Sequence, residues 1–204
     1  MQGETYFTGR LGIRLIRGTI QAPILWKVRN TLRFSFVWGW ITTRAALLFS
    51  KVTGIPTLIG QLRVVKIDGE TGRRIDYGVV CYRLVTTAFV TFVVDQLQTE
   101  TSVFGDFKFH DSGVGITDPA IGDTAIETTD GEARATGSQT ESAANVYRSV
   151  GTIAYTTAKA ITEHGLFNDV AAGTLMDRSE FAAINVVNLD SIEFTYDLTV
   201  SAGG

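Results

Sequence analysis

The sequence predicts a mainly β protein: an antiparallel, jelly-roll-like β-sandwich with one packed helix over residues 61–204, preceded by a mixed or helical arm over residues 1–60. Three observations predict this. The run from Ser191 to Ser201 alternates without a fault, Ile192, Phe194, Tyr196, Leu198 and Val200 on one side and Ser191, Glu193, Thr195, Asp197 and Thr199 on the other. Short β-branched runs separated by turn residues recur from residue 103 onward, in a chain with 21 glycines. The charge is also split: residues 1–75 carry twelve Lys and Arg against three acids, whereas the remainder carries six against eighteen.

The arm is read as follows. Pro23 suits a first helical turn, where its missing N–H costs nothing. Ile24, Leu25, Val28 and Leu32 then share a helical face, with Lys27, Asn30 and Arg33 off it. Phe34, Phe36, Trp38 and Trp40 alternate with smaller residues, the period of a strand, so helix and strand both remain open for this stretch. Thr42 or Thr43 is a candidate cap for a short helix through Ala45–Phe49, ended by Gly54-Ile55-Pro56. The apolar stretch from Phe34 to Phe49 is interrupted by Arg44 and is too short to span a bilayer.

In the body, Leu62–Ile67, the turn Asp68-Gly69-Glu70-Thr71-Gly72 and the run Ile75–Leu84 read as a hairpin. Residues 85–98 are rich in strand formers. A cap at Thr86 or Thr87 and a face of Phe89, Phe92, Val93 and Leu97 nevertheless favour a helix packed on the sheet. Strands are expected over Phe104–His110, Ala133–Thr140, Asn145–Thr157, Ala160–Phe167, Thr174–Val187 and Ser191–Ser201. Residues 111–131 are expected to form a long, ordered Gly- and Asp-rich loop.

Few residues suggest chemistry. Cys81 is the single cysteine, so no intrachain disulfide can form, and its apolar setting predicts a buried, inert thiol. No secretory signal is expected at the N-terminus, where Arg10, Arg14 and Arg17 interrupt the apolar residues. His110-Asp111 stands before Asp118, Asp123, Glu127 and Asp130, but their spacing fits no calcium loop, and solvated acids are expected. Glu163 and His164 are neighbours in a strand and point to opposite faces, so they cannot act as a direct acid–base pair. Gly113-Val114-Gly115 lacks the rest of a dinucleotide fingerprint, and neither a P-loop nor a nucleophile elbow occurs. No cofactor, metal or catalytic residue is assigned.

Residues from about 84 to 204 resemble a recurrent type of tailed-bacteriophage virion protein. The resemblance rests on an ordered series: Val85-Thr86-Thr87-Ala88, then His110-Asp111-Ser112-Gly113-Val114-Gly115 with Asp123-Thr124-Ala125. Ile161-Thr162-Glu163-His164-Gly165-Leu166-Phe167-Asn168, Gly173-Thr174-Leu175-Met176-Asp177-Arg178, the final strand and the Ser201-Ala202-Gly203-Gly204 end complete it. It implies a β-sandwich-like body and a structural, non-catalytic role among head- or tail-associated proteins. Residues 1–60 lie outside it.

The expected function is therefore a capsid decoration or cement component of the virion, assembled in the host cytoplasm. It docks on the major capsid protein, on other virion proteins or on copies of itself. Trp26, Arg29, Arg33, Phe36, Trp38, Trp40 and Arg44 are the interface candidates, because Trp and Arg dominate binding hot spots. Nucleic acid is disfavoured as a partner, since the cations are interleaved with apolar residues and form no dense basic tail. A membrane is disfavoured because packing against protein is the commoner fate of such a segment. The alternative is a tail or fibre component whose 111–131 loop recognises a host receptor. A glycan-acting enzyme is a third reading with no supporting motif.

Overall fold

The structure is a computed structural model that describes residues 19–97 and 107–201. Ten strands and three helices lie within them: β1 (Thr19–Gln21), α1 (Ile24–Thr31), α2 (Phe34–Thr53), β2 (Thr57–Ile67), β3 (Arg74–Leu84), α3 (Thr87–Gln96), β4 (Phe109–Gly113), β5 (Ala135–Thr136), β6 (Ser138–Ala143), β7 (Val146–Ala154), β8 (Lys159–Phe167), β9 (Leu175–Val186) and β10 (Ser191–Ser201). The chain is thus mainly β. A six-stranded sheet runs β1-β3-β2-β10-β7-β6, and a four-stranded sheet runs β5-β4-β8-β9. Every pairing is antiparallel except the short β1–β3 contact.

β10 pairs with β2 along its whole length and with β7 from Ser191 to Thr199. Its apolar side, Ile192, Phe194, Tyr196 and Leu198, is buried as the alternation requires, and Val200 is exposed at the strand's end. One core cluster draws Leu62, Val64 and Phe194 from the larger sheet and Ile161, Leu166 and Phe181 from the smaller. The hairpin turn is closed by Asp68, whose carboxylate accepts from the Thr71 amide and hydroxyl at 2.8 and 2.6 Å. Those bonds hold the Asp68 carboxyl below its ordinary range.

The helix α3 begins where the sequence places it. The Thr86 hydroxyl accepts from the Phe89 amide and donates to the Leu175 carbonyl. Phe89 is buried, and Phe92 and Val93 pack against the core, but Leu97 faces solvent. The strand expected over Phe104–His110 begins at Phe109 and runs on to Gly113; residues 104–106 lie outside the described residues.

In the arm the helical reading prevails over the strand. Phe34 to Thr53 forms one twenty-residue helix, ended by Gly54 in the left-handed conformation at φ 73°. Thr42 and Thr43, read as caps, instead stand mid-helix, their hydroxyls donating to carbonyls three and four residues back. The period of two failed because Ser35 and Gly39 face the sheet at helical spacing, four residues apart. Trp38 and Trp40 both lie toward solvent.

Candidate interaction surface

The two arm helices lie on the β-body through small and polar residues. Along α2 the buried positions are Ser35, Gly39, Thr43 and Ser50. A helix on a protein core ordinarily buries its large apolar side chains and shows polar ones to water. α2 is inverted. Its small side lets the backbone approach β3 closely, and Phe34, Trp38, Trp40, Leu48, Phe49 and Val52 are left outside. Thirteen of the 22 exposed large hydrophobic side chains among the described residues lie between Ile24 and Ile55. Residues 24–53 contain no acid, and Lys27, Arg29, Arg33, Arg44 and Lys51 are basic. An apolar, purely cationic exposed layer of this kind is the candidate interaction surface.

The seven interface candidates separate into two groups. Trp26, Arg33 and Phe36 are half-buried and serve the fold. The Trp26 indole N–H donates to the Ala183 carbonyl at 2.9 Å, and its ring meets Tyr77 edge-on at 4.5 Å. Arg33 forms a forked ion pair with Glu180, which also accepts from the Ser35 hydroxyl at 2.9 Å. Burial pushes the Glu180 carboxyl up, and the Arg33 guanidinium opposes that shift. Phe36 meets Tyr82 edge-on at 5.7 Å. Arg29, Trp38, Trp40 and Arg44 are exposed. Trp38 stacks on Phe34 at 5.9 Å, and Arg44 lies over the Trp40 ring at 5.7 Å.

The inward group has a clear physical task. β9 is an edge strand, twelve residues long, and a bare edge of that length is a template for unwanted pairing. Side chains cover it: Asn30 accepts from the Ala182 amide, Trp26 donates to the Ala183 carbonyl, and Thr86 caps the Leu175 carbonyl. Asn30 also donates to the Val80 carbonyl on β3, so one amide side chain ties the edge strand β9 to a strand of the other sheet. Asn30 was not singled out from the sequence. Its signal was a lone amide beside an apolar helical stripe.

The Gly/Asp loop is built around Arg178. This guanidinium, 4% exposed, pairs with Glu163 at 2.8 Å and with Asp123 and Glu127 at 3.1 Å. Glu163 is fully buried and also accepts the Gly115, Glu127 and Thr128 amides. The expectation of solvated acids is corrected for Asp111, buried in an ion pair with Arg134 at 2.9 Å, and for Asp123, half-buried because the loop folds back over β8 and β9 and brings it to Arg178. Glu127 also meets Arg178 but stays exposed. Gly115 permits the approach: a β-carbon there would lie 2.4 Å from a Glu163 carboxylate oxygen. Glu163 and His164 do face apart, yet both are buried, since this loop covers one side of β8 and the core covers the other.

On the core side His110 and His164 bond to each other through Nδ1 and Nε2 at 2.9 Å, and His110 Nε2 meets the Ser149 hydroxyl at 2.9 Å. All three are fully buried, so no solute reaches this chain of groups while the sheets are closed. Cys81 is buried, and its thiol is pushed up to about 11 by burial. Among the described residues no group of three or more His, Cys, Asp or Glu is arranged to hold a metal ion. Nor is any described helix long and apolar enough to cross a membrane. No family model matches the chain, and no curated protein matches it.

Proposed function

We propose that the chain is a structural component of a tailed-bacteriophage particle, a capsid decoration or cement subunit without catalytic activity. In this reading the two sheets form a β-sandwich of jelly-roll type, in keeping with their shared core. The body stands on the particle and the α1–α2 layer is the docking face. Its partner is the major capsid protein, another virion protein or a second copy. The observation that carries the reading is the inversion of α2, which presents Trp38, Trp40, Leu48 and Phe49 to solvent on a rigid, well-anchored helix. The motif series over residues 84–204 supports the virion setting.

The test follows from the two groups of arm residues. Deleting the arm would uncover β9 and unfold the body, so outward substitutions are the informative ones. Trp40→Ser with Phe49→Ser leaves every inward contact in place. The double variant is expected to melt within a few degrees of the wild type and to be lost from purified particles. Normal incorporation of a folded variant would sink the docking reading.

A tail or fibre location is the second reading, favoured by the stiffness of the Gly/Asp loop around Arg178, which presents exposed Ile116 and Ile121. Copy number separates the two: hundreds per particle for a shell protein, a handful for a tail protein.

A further inference from the structure

Where the docking helix meets the Gly/Asp loop there is a cavity of about 200 Å³. Its walls are Trp38 and Thr42 of α2, Arg83 near the end of β3, Thr86, the 119–121 segment and Arg178. It joins two features the sequence flagged separately, the exposed aromatic residues of the arm and the loop.

Its two guanidinium groups are not equivalent. Arg178 is held by three carboxylates and has no charge to spare. Arg83 has no carboxylate within ion-pair distance among the described residues. Its Nη2 donates to the Pro119 carbonyl at 3.0 Å, and its Nε is buried without a partner. Asp177 feels the charge of Arg83 but does not reach it: one of its oxygens is bonded to Ser179 and the other has no partner. Arginine does not lose its proton, so this half-buried site carries a permanent cation with unused donors.

The remaining polar groups limit what can bind. The Thr42 hydroxyl donates to helix carbonyls and the Thr86 hydroxyl to Leu175, so neither is free to donate to a many-oxygened anion. One planar fork beside an apolar wall fits a single carboxylate on an aliphatic stem. The wall is rigid: Thr87 N–H bonds Ile121 O at 2.8 Å, and Asp123 ties Ala120 to Arg178.

We propose that this cavity receives one carboxylate, an Asp or Glu side chain presented by the protein on which the helical layer docks. Arg83 is the fork and Trp38 the apolar wall. The identity of the presenting protein rests on the docking reading above; the carboxylate chemistry does not.

The test uses the full chain, labelled with ¹⁵N, at constant ionic strength. Sodium propionate and inorganic phosphate are titrated against a chloride baseline, following the Arg83 Nε–H and Trp38 indole resonances. Propionate is expected to shift both saturably, and phosphate to bind at least ten-fold more weakly. Arg83→Gln should abolish the response and Arg83→Lys weaken it. No saturable shift of Arg83 in the wild type overturns the proposal, whether or not the variants fold. Phosphate binding as tight as propionate overturns it too and reassigns the pocket to nucleic-acid or lipid phosphates. Failure of the docking reading would leave this titration unchanged, so the two fail separately.

Discussion

The α-carbon of Gly39 in α2 rests on the main-chain carbonyl of Tyr82 in β3, so closely that a β-carbon would lie 2.1 Å from its oxygen. That oxygen belongs to a strand paired along its length with β2 and cannot yield cheaply. Helix propensity alone would make Gly39→Ala stabilising by up to about 1 kcal/mol. The contact reverses the sign. Overpacking of this kind costs about 1–3 kcal/mol, so Gly39→Ala should lower the urea midpoint. A raised midpoint would mean that α2 does not sit on β3 at this distance.

Asn30 offers a second measurement. Its side chain donates to Val80 at 3.0 Å and accepts from Ala182 at 2.8 Å, both in a buried setting. Asn30→Leu keeps the branched four-atom shape and leaves one donor and one acceptor unpaired, at about 1–3 kcal/mol each. Beyond the loss of stability, the loosened edge of β9 should make the variant associate. Light scattering at raised temperature should therefore rise earlier than for Asn30→Gln.

These two residues show what the sequence hid. The last four strands of the body could be read to within a few residues of their ends, and β10 most clearly, since it keeps a period of two from Ile192 to Leu198. β2 begins five residues before the expected Leu62, the Ala133–Thr140 run is split into two strands, and β4 lies mostly beyond the expected Phe104–His110. The arm misled because α2 breaks the usual relation between hydrophobicity and burial. Its buried residues are Ser35, Gly39, Thr43 and Ser50, and its aromatics are outside. No local pattern says that a strand edge elsewhere needs covering. The tasks of Trp26, Asn30 and Arg33 are therefore written in β9, about 150 residues away. The Arg178 network was hidden for the same reason: its three acids come from a loop and a neighbouring strand.

That network is the third test. Breaking a buried pair by removing one partner costs about 3–5 kcal/mol, since the other charge is left uncompensated. Glu163→Gln leaves Arg178 paired with Asp123 and Glu127, so its cost should fall below that range, at about 1–3 kcal/mol from the amide NH2 that must face the buried N–H groups of Gly115 and Thr128 or those of Glu127 and Arg178. The Arg178→Met, Glu163→Gln double variant should recover part of the loss. Additive effects in that double-mutant cycle would show that the two side chains do not interact.

The histidine pair sets a fourth expectation. Burial holds His110 down to about 3 and His164 well below its ordinary value, with His110 adding to the effect on His164. Both stay neutral in the folded protein, whereas the unfolded chain takes up protons below about pH 6.5. Their contribution is therefore fully present above that pH and is lost as the pH falls toward 3. Chemical denaturation at pH 7, 6 and 5 should show a declining stability. Replacing both histidines by Gln should flatten the decline.

Asp177 works in the opposite direction over the same window. Burial raises its carboxyl to about 6, while the Ser179 hydroxyl and the Arg83 charge oppose the shift. One carboxyl oxygen and the Tyr196 hydroxyl are both buried without partners. They close around Gly60, where a β-carbon would lie 2.3 Å from the hydroxyl and 3.0 Å from the carboxyl oxygen. The folded state thus prefers the neutral acid. A raised folded value means stability that is fully present below the unfolded value near 3.8 and is lost as the pH rises through about 6. Asn at this position mimics the neutral form at every pH. Asp177→Asn should therefore match the wild type at pH 4 and exceed it by roughly 3 kcal/mol at pH 8, from the size of the shift. The variant's decline on acidification should also be the steeper of the two, because the compensating gain at Asp177 is gone. A stability gap that does not change between pH 4 and pH 8 would mean that Asp177 is already ionised between the sheets. Its unpartnered oxygen would then need a cation within ion-pair distance, and Arg83, whose charge Asp177 feels, does not come that close.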